Sequence, residues 1–377
     1  MENMKFTGTD LTVSRLGFGC MRLPTVKQGK KRVIHEQRAI DLIRYAIDNG
    51  VTYIDTAYPY HDGQSEVIVG KALRDGYRER VTLTTKLPCW NVKTPEDMDR
   101  LLNEQLEKLQ TDHVDFYLLH AMGKDRLKQM REMGYKEFMD RAVKSGKVRY
   151  PGFSFHDDAE TFLEILDDYD WKLAQVQMNI LDDEAQATVK GIERAREKGV
   201  GVVIMEPLRG GLMAKLPPNV QEVYDSFPVK RSGVEWAFRY LYDMPGVMTI
   251  LSGMSTKGQL KDNLRIFKEA QPNVMDESER KLIKDVKKAY LSRIKTMCTG
   301  CRYCQPCPRG VRIPEVFREW DNSLMFNEKR ILQYHMKNLT ASKNDPSQCV
   351  VCGKCEKACP QHLHIIELLK EAAEAAK

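Results

Sequence analysis

The chain has 377 residues, enough for one large domain and a small one on a prior of roughly 100 to 200 residues per domain. Its 42% hydrophobic and 30% charged residues suit a water-soluble globular protein, and no apolar run approaches the ~18 residues of a membrane helix. The formal charge of +6 is spread among interspersed Lys, Arg, Asp and Glu rather than gathered in basic blocks, which argues against nucleic-acid binding.

The opening "MENMKFTGTD" lacks a basic segment followed by an apolar one, so no secretory or transit peptide is read there and a cytoplasmic location is expected. From there to about Phe267, short apolar runs alternate with longer helical patterns eight times. The runs are "LGFG" at Leu16, "TYIDTA" at Thr52, "VTLTTK" at Val81, "VDFYLLH" at Val114, "YPGFSF" at Tyr150, "LAQVQMN" at Leu173, "VGVVIM" at Val200 and "VMTILSG" at Val247. Each is β-branched or aromatic and almost continuously apolar, as expected of strands buried on both faces. Between them lie amphipathic stretches such as "PEDMDRLLNEQLEKLQ", where Pro95 opens a helix and Met98, Leu101, Leu102, Leu106 and Leu109 recur at helical spacing. Eight strand-helix units predict an α/β fold, a (β/α)8 TIM barrel, for which about 250 residues is typical. An open doubly wound sheet is the competing topology, and "LGFGCMRLPTVKQGKKR" disfavours it because it has no G-x-G-x-x-G fingerprint.

A charged helical stretch, "DESERKLIKDVKKAYLSRI", follows the eighth unit, and the domain boundary is read near Lys295. Residues 1–295 are then the barrel and 296–377 a small second domain that ends in the helical "HIIELLKEAAEAAK".

The loops at the C-terminal ends of the strands surround the one open pocket of such a barrel, so polar strand ends are the catalytic candidates. Asp55 ends the second run, Tyr60 follows five residues later, Lys86 ends the third and His120 the fourth. This set suits carbonyl reduction. Tyr60 is the proton donor, its phenol expected to be made more acidic by the neighbouring Lys86 ammonium. Asp55 pairs with Lys86, and His120 is placed to hydrogen-bond the substrate oxygen as charge develops there.

On "DTAYPY", "TTK" and "LLH", in that order and at strand ends, the chain resembles the aldo/keto reductases over residues 5 to 267. The resemblance implies NADPH or NADH bound across the barrel mouth and a small-molecule carbonyl substrate. Ser154 and Gln175 then match the positions that hold the nicotinamide carboxamide. Met205, Pro207 and Leu208 of "MEPLRGG" match the cofactor loop after strand seven, and Ser252, Gly253, Gln259 and Asn263 of "SGMSTKGQLKDN" match the adenosine side. Phe155 stands where the family often has Asn, and Met205 where an aromatic often stacks on nicotinamide. Gly253 and Gln259 replace the Lys and Arg that grip a 2'-phosphate in many members, with Lys257 and Arg265 the nearby cations. Cys20 and Cys89, near the same rim, read as inert small apolar residues.

Eight of the ten cysteines lie in two terminal runs, "CTGCRYCQPCP" and "CVVCGKCEKACP". In a reducing compartment such clustering argues for metal. The second run has the C-x2-C-x2-C-x3-C-P spacing of bacterial ferredoxins, in which the fourth cysteine serves the other cluster. Zinc is the competing reading, but its sites use paired knuckles with four ligands per metal. The tail resembles a ferredoxin-like iron-sulfur domain. By that similarity Cys298, Cys301, Cys304 and Cys359 hold one 4Fe-4S cluster, and Cys349, Cys352, Cys355 and Cys307 the other.

Three functions follow. The first is an NAD(P)H-dependent carbonyl reductase whose clusters shape the tail or sense redox state. The second is a reductase fed through the clusters by ferredoxin or another redox protein. The third is an electron-carrier or binding protein with an inactive barrel. Nicotinamide gives two electrons at once and a cluster takes one, so direct exchange calls for a flavin or radical step, yet no flavin motif is present.

Overall fold

The computed structural model describes residues 3–29 and 31–377. Eight strands close into a parallel barrel in sequential order: β1 (Leu16–Gly19), β2 (Tyr53–Asp55), β3 (Thr82–Leu87), β4 (Val114–Met122), β5 (Val148–Phe155), β6 (Leu173–Gln177), β7 (Gly201–Met205) and β8 (Val247–Ser252). Pairing of Ile250 with Leu16 joins β8 to β1 and completes the ring. The eight apolar runs read from the sequence are these eight strands. They are apolar throughout because one face looks into the barrel and the other lies under helices.

The helical layer forms for the reason the spacing suggests. Helices α1 (Glu36–Asp48), α2 (Ser65–Ala72) and α3 (Glu96–Leu109) pack on the strands, and α3 buries Met98, Leu101, Leu102, Leu106 and Leu109. A helix of 14 residues is marginal alone, but five such side chains removed from water contribute on the order of 1.5–3 kcal/mol each. Helix α4 (Lys124–Glu132) follows β4 at the C-terminal face. The opposite end of the barrel is plugged by an N-terminal hairpin of Asn3–Lys5 and Thr12–Ser14, whose Phe6, Leu11 and Val13 pack on Tyr53, Phe116 and Leu173. With that end filled by side chains, only the C-terminal face is open for a site.

The residues group into two compact units, Met1–Gly210 with Val234–Met275, and Gly211–Gly233 with Asp276–Lys377. The charged stretch after the barrel is the helix Glu277–Leu291 of the second unit. It is tied to the helix Pro218–Ser226, where Asn219 Nδ2 donates to Ala289 O at 2.7 Å. In the tail, helices Ile313–Met325 and Ile365–Ala375 share a core of Val316, Phe317, Trp320 and Leu369, against which six of the eight tail cysteines pack. No helix among the described residues is long and apolar enough to cross a membrane.

Candidate active site and cysteine cavities

Three adjacent strands bring the four candidate catalytic side chains together. Lys86 Nζ donates to both Asp55 oxygens at 2.8 Å, to Thr56 O at 2.8 Å and to Tyr60 Oη at 3.5 Å. Lys86 and Asp55 are 1% and 2% exposed, so the pair is almost fully dry, while Tyr60 and His120 are half-buried and keep access to the mouth. The Tyr60 and His120 rings meet edge to face with centroids 6.2 Å apart.

A buried network holds Lys86 from behind. Thr85 Oγ1 and Gln105 Nε2 both donate to Glu66 Oε1 at 2.6 Å, Gln105 Nε2 also reaches Lys86 O at 3.0 Å, and Tyr117 Oη donates to Gln105 Oε1 at 2.7 Å. The backbone that carries the ammonium is thus braced by α2, α3 and β4.

The electrostatics differ from the sequence expectation in one respect. Burial is the largest influence on the Tyr60 phenol and raises it above its ordinary value, although Lys86 pulls it down as anticipated. The ammonium's field is largely spent on Asp55, whose charge pushes the phenol the other way. For Lys86, burial works against the charge, but Asp55 and Tyr60 outweigh it and hold the ammonium above its ordinary value. Burial, helped by Lys86, lowers His120 to about 2, so its imidazole is neutral. Burial likewise pushes the Cys89 thiol up to about 12 and the Cys20 thiol higher still, which fits two inert side chains.

Replacing Lys86 with Met strands a buried carboxylate with Gln175 as its remaining side-chain partner. The expected cost is about 3–5 kcal/mol, read from the urea midpoint, and adding Asp55→Asn should recover most of it. If the double variant is no more stable than the single one, the cost does not come from an unpaired Asp55.

The candidate cofactor contacts lie around the ends of β5 to β8. Ser154 and Gln175 pair across β5 and β6; Ser154 Oγ accepts from Ala121 N at 2.8 Å, and Gln175 Nε2 donates to Asp55 Oδ2 at 2.8 Å. Met205 ends β7 half-buried, followed by buried Pro207 and half-buried Leu208. Asn263 Nδ2 donates to Ser252 Oγ at 2.7 Å. Gln259 is occupied in a capping box, its Oε1 accepting from Ser255 N and Thr256 N, and Arg265 is paired with Glu235 and Asp262.

Three residues at this face carry no sequence signal of their own. Arg22 is exposed and lies along Gly253, where an added Cβ would come within 3.0–3.2 Å of its side chain, and a Cβ at Gly210 would meet its guanidinium at 3.2 Å. One cation therefore spans the loops after β7 and β8. Trp90, 36% exposed in the loop after β3, stands 5.1 Å from His120 between ring centroids, and the Arg126 guanidinium lies 5.5 Å from the Trp90 ring. Trp90 offers at most an aromatic just past a strand, and Arg126 reads as an ordinary surface charge.

In the tail, Cys298, Cys301, Cys304 and Cys359 line one small cavity. Cys307, Cys349, Cys352 and Cys355 line another, larger one, which Cys304 also borders. The first cavity thus draws three cysteines from the first run and one from the second, and the other cavity three from the second run and two from the first, Cys304 being shared. Among the described residues no three His, Cys, Asp or Glu converge as on one metal ion. Thiols spread around a void suit a polynuclear cluster better than a zinc ion. Burial, then the neighbouring Cys298, pushes the Cys304 thiol up to about 11.

A family model described as Aldo/keto reductase family matches residues 15–283, and one described as 4Fe-4S dicluster domain matches 297–364. Probable aldo-keto reductase 1 of Glycine max is 28% identical over 233 residues, covering 58% of this chain and 64% of its own length, so the match spans less than two thirds of that relative. The uncharacterized oxidoreductase YrpG of Bacillus subtilis is 31% identical over 241 residues, covering 56% and 68%. The holo form of aldo-keto reductase AKR11C1 from Bacillus halodurans superposes with a TM-score of 0.65 at 27% identity, over 77% of this chain and 97% of that one.

Proposed function

Because the chain belongs to the aldo/keto reductase family and carries a 4Fe-4S domain, we propose that this oxidoreductase reduces an aldehyde or ketone at the barrel mouth with Tyr60 as proton donor. The observation that carries the reading is the buried Lys86 ammonium, held by both Asp55 oxygens and within 3.5 Å of the Tyr60 hydroxyl.

Ser154, Gln175, Met205, Pro207, Leu208, Ser252, Gly253 and Asn263 line the strand ends where a nicotinamide cofactor would lie, with Gln259 holding the helix start there. Asn263 steadies Ser252, and the absence of a side chain at Gly253 lets Arg22 lie along it. Arg22 would supply a cation beside Gly253, where Gly253 and Gln259 themselves offer none. A bound NADPH or NADH would supply the hydride that the carbonyl carbon accepts. As the carbonyl π electrons move onto oxygen, Tyr60 gives that oxygen its phenolic proton. Lys86 stabilises the phenolate left behind, Asp55 keeps Lys86 charged and in place, and neutral His120 offers an N–H to the same oxygen.

We assign residues 296–377 as the cluster domain, with two 4Fe-4S clusters, one on Cys298, Cys301, Cys304 and Cys359 and the other on Cys307, Cys349, Cys352 and Cys355. They would add one-electron capacity that the barrel lacks. A second reading, electron entry from ferredoxin or another redox protein, is favoured by the exposure of Cys301 and Cys352, one at each cavity.

Anaerobically purified protein should contain about eight iron atoms per chain and oxidise NADPH or NADH only when a carbonyl is added. Nicotinamide oxidation that no aldehyde or ketone stimulates would sink the first reading, and turnover with reduced ferredoxin in the absence of nicotinamide would favour the second.

A further inference from the structure

At and near His120 two buried polar atoms have no partner among the described residues, His120 Nδ1 and Arg126 Nε. A buried donor left unpaired is costly, and in a binding site the usual remedy is a ligand. Arg126 stands in the first turn of α4, its Nη1 donating to Ala121 O at 2.7 Å, one residue past His120. Its charge is close enough to act on the His120 ring.

No acid answers this guanidinium: Arg126 forms no ion pair among the described residues. The neighbouring carboxylates are engaged elsewhere. Asp157 accepts from Lys124 N and Asp158 N, and Asp158 caps the next helix through Thr161 N. The position is also braced, because Gln129 of α4 donates to Cys89 O and Val92 O on either side of Trp90. Trp90 and Arg126 therefore form a braced wall, aromatic and cationic, beside His120, whose ring meets Tyr60 edge to face.

We propose that Arg126 binds a carboxylate on the carbonyl substrate, with Trp90 covering the chain between the two groups, so that the barrel reduces aldehydes or ketones that carry a carboxylate. The planar guanidinium matches a carboxylate's two oxygens, and in a half-buried site such a charge-assisted pair discriminates strongly against neutral analogues. The inference rests on the carbonyl-reductase reading and names its substrate class.

The test compares 4-oxobutanoate with pentanal, of similar length without the charge. Wild-type kcat/KM should favour 4-oxobutanoate by roughly 10- to 100-fold, mostly through KM, and Arg126→Met should bring that ratio near one, with Arg126→Lys in between. Because the readout is a ratio within one protein, partial misfolding of a variant cancels. A wild-type ratio near one, a ratio untouched by Arg126→Met, or a greater preference for a phosphate-bearing aldehyde would overturn the proposal. Quenching of Trp fluorescence by 4-hydroxybutanoate reads the site without turnover. Saturable quenching that Arg126→Met weakens about tenfold or more supports it even if no carbonyl is reduced, and unsaturable quenching in wild type counts against it.

Discussion

Tyr60→Phe is expected to lower carbonyl-dependent NAD(P)H oxidation by about 10²- to 10⁴-fold, the range for losing a positioned general acid, while leaving iron content and cluster absorbance unchanged. The fold should barely notice. The hydroxyl makes one long contact, 3.5 Å to Lys86, and the ammonium keeps Asp55 and Thr56 O at 2.8 Å. A stability change near or below about 1 kcal/mol is therefore expected. The pH profile adds an independent check. The protonated phenol is the active form, so rate is lost as pH rises through its pKa, which burial places above the ordinary value of about 10. His120, lowered to about 2, stays neutral throughout and adds no step. Reduction should run level from acidic into mildly alkaline pH and fall only beyond it. A limb near pH 6 to 7, or a Tyr60→Phe enzyme with wild-type turnover, would remove Tyr60 from the role.

The second large effect concerns the tail. Cys355→Ser and Cys359→Ser should each cut iron from about eight to about four atoms per chain, because each removes one ligand from a different cavity. Both should also expose residues 296–377 to trypsin. The tail core of Val316, Phe317, Trp320 and Leu369 packs directly on Cys298, Cys304, Cys307, Cys349, Cys355 and Cys359, so cluster binding by these cysteines would be coupled to folding of the tail. Iron that stays near eight in either variant would mean that the two cavities are not the cluster sites. The same variants separate the two functional readings. If the clusters only shape the tail, NAD(P)H-dependent turnover survives; if they carry electrons from ferredoxin, turnover supported by reduced ferredoxin is lost.

Much of this molecule is legible in its residue order, because strand patterning and ligand spacing are local. The unbroken apolar runs read as strands covered on both sides, eight of them with helices between and no dinucleotide fingerprint favour a closed barrel over an open sheet, and Asp55, Lys86 and His120 then fall at one rim by their place at strand ends. The C-x2-C-x2-C runs name their chemistry in the same way. What escaped depends on groups that closure brings together from far apart. The rise of the Tyr60 phenol is a balance between burial and an ammonium already neutralised by Asp55, and no spacing reports that balance. Gln175 turning to Asp55, Gln259 spent on a helix cap, Arg22 lying over Gly253, and Arg126 standing beside Trp90 and His120 are pairings across separate loops. Each is settled by which polar groups lose water together when the barrel closes, a quantity that exists only once the chain has folded.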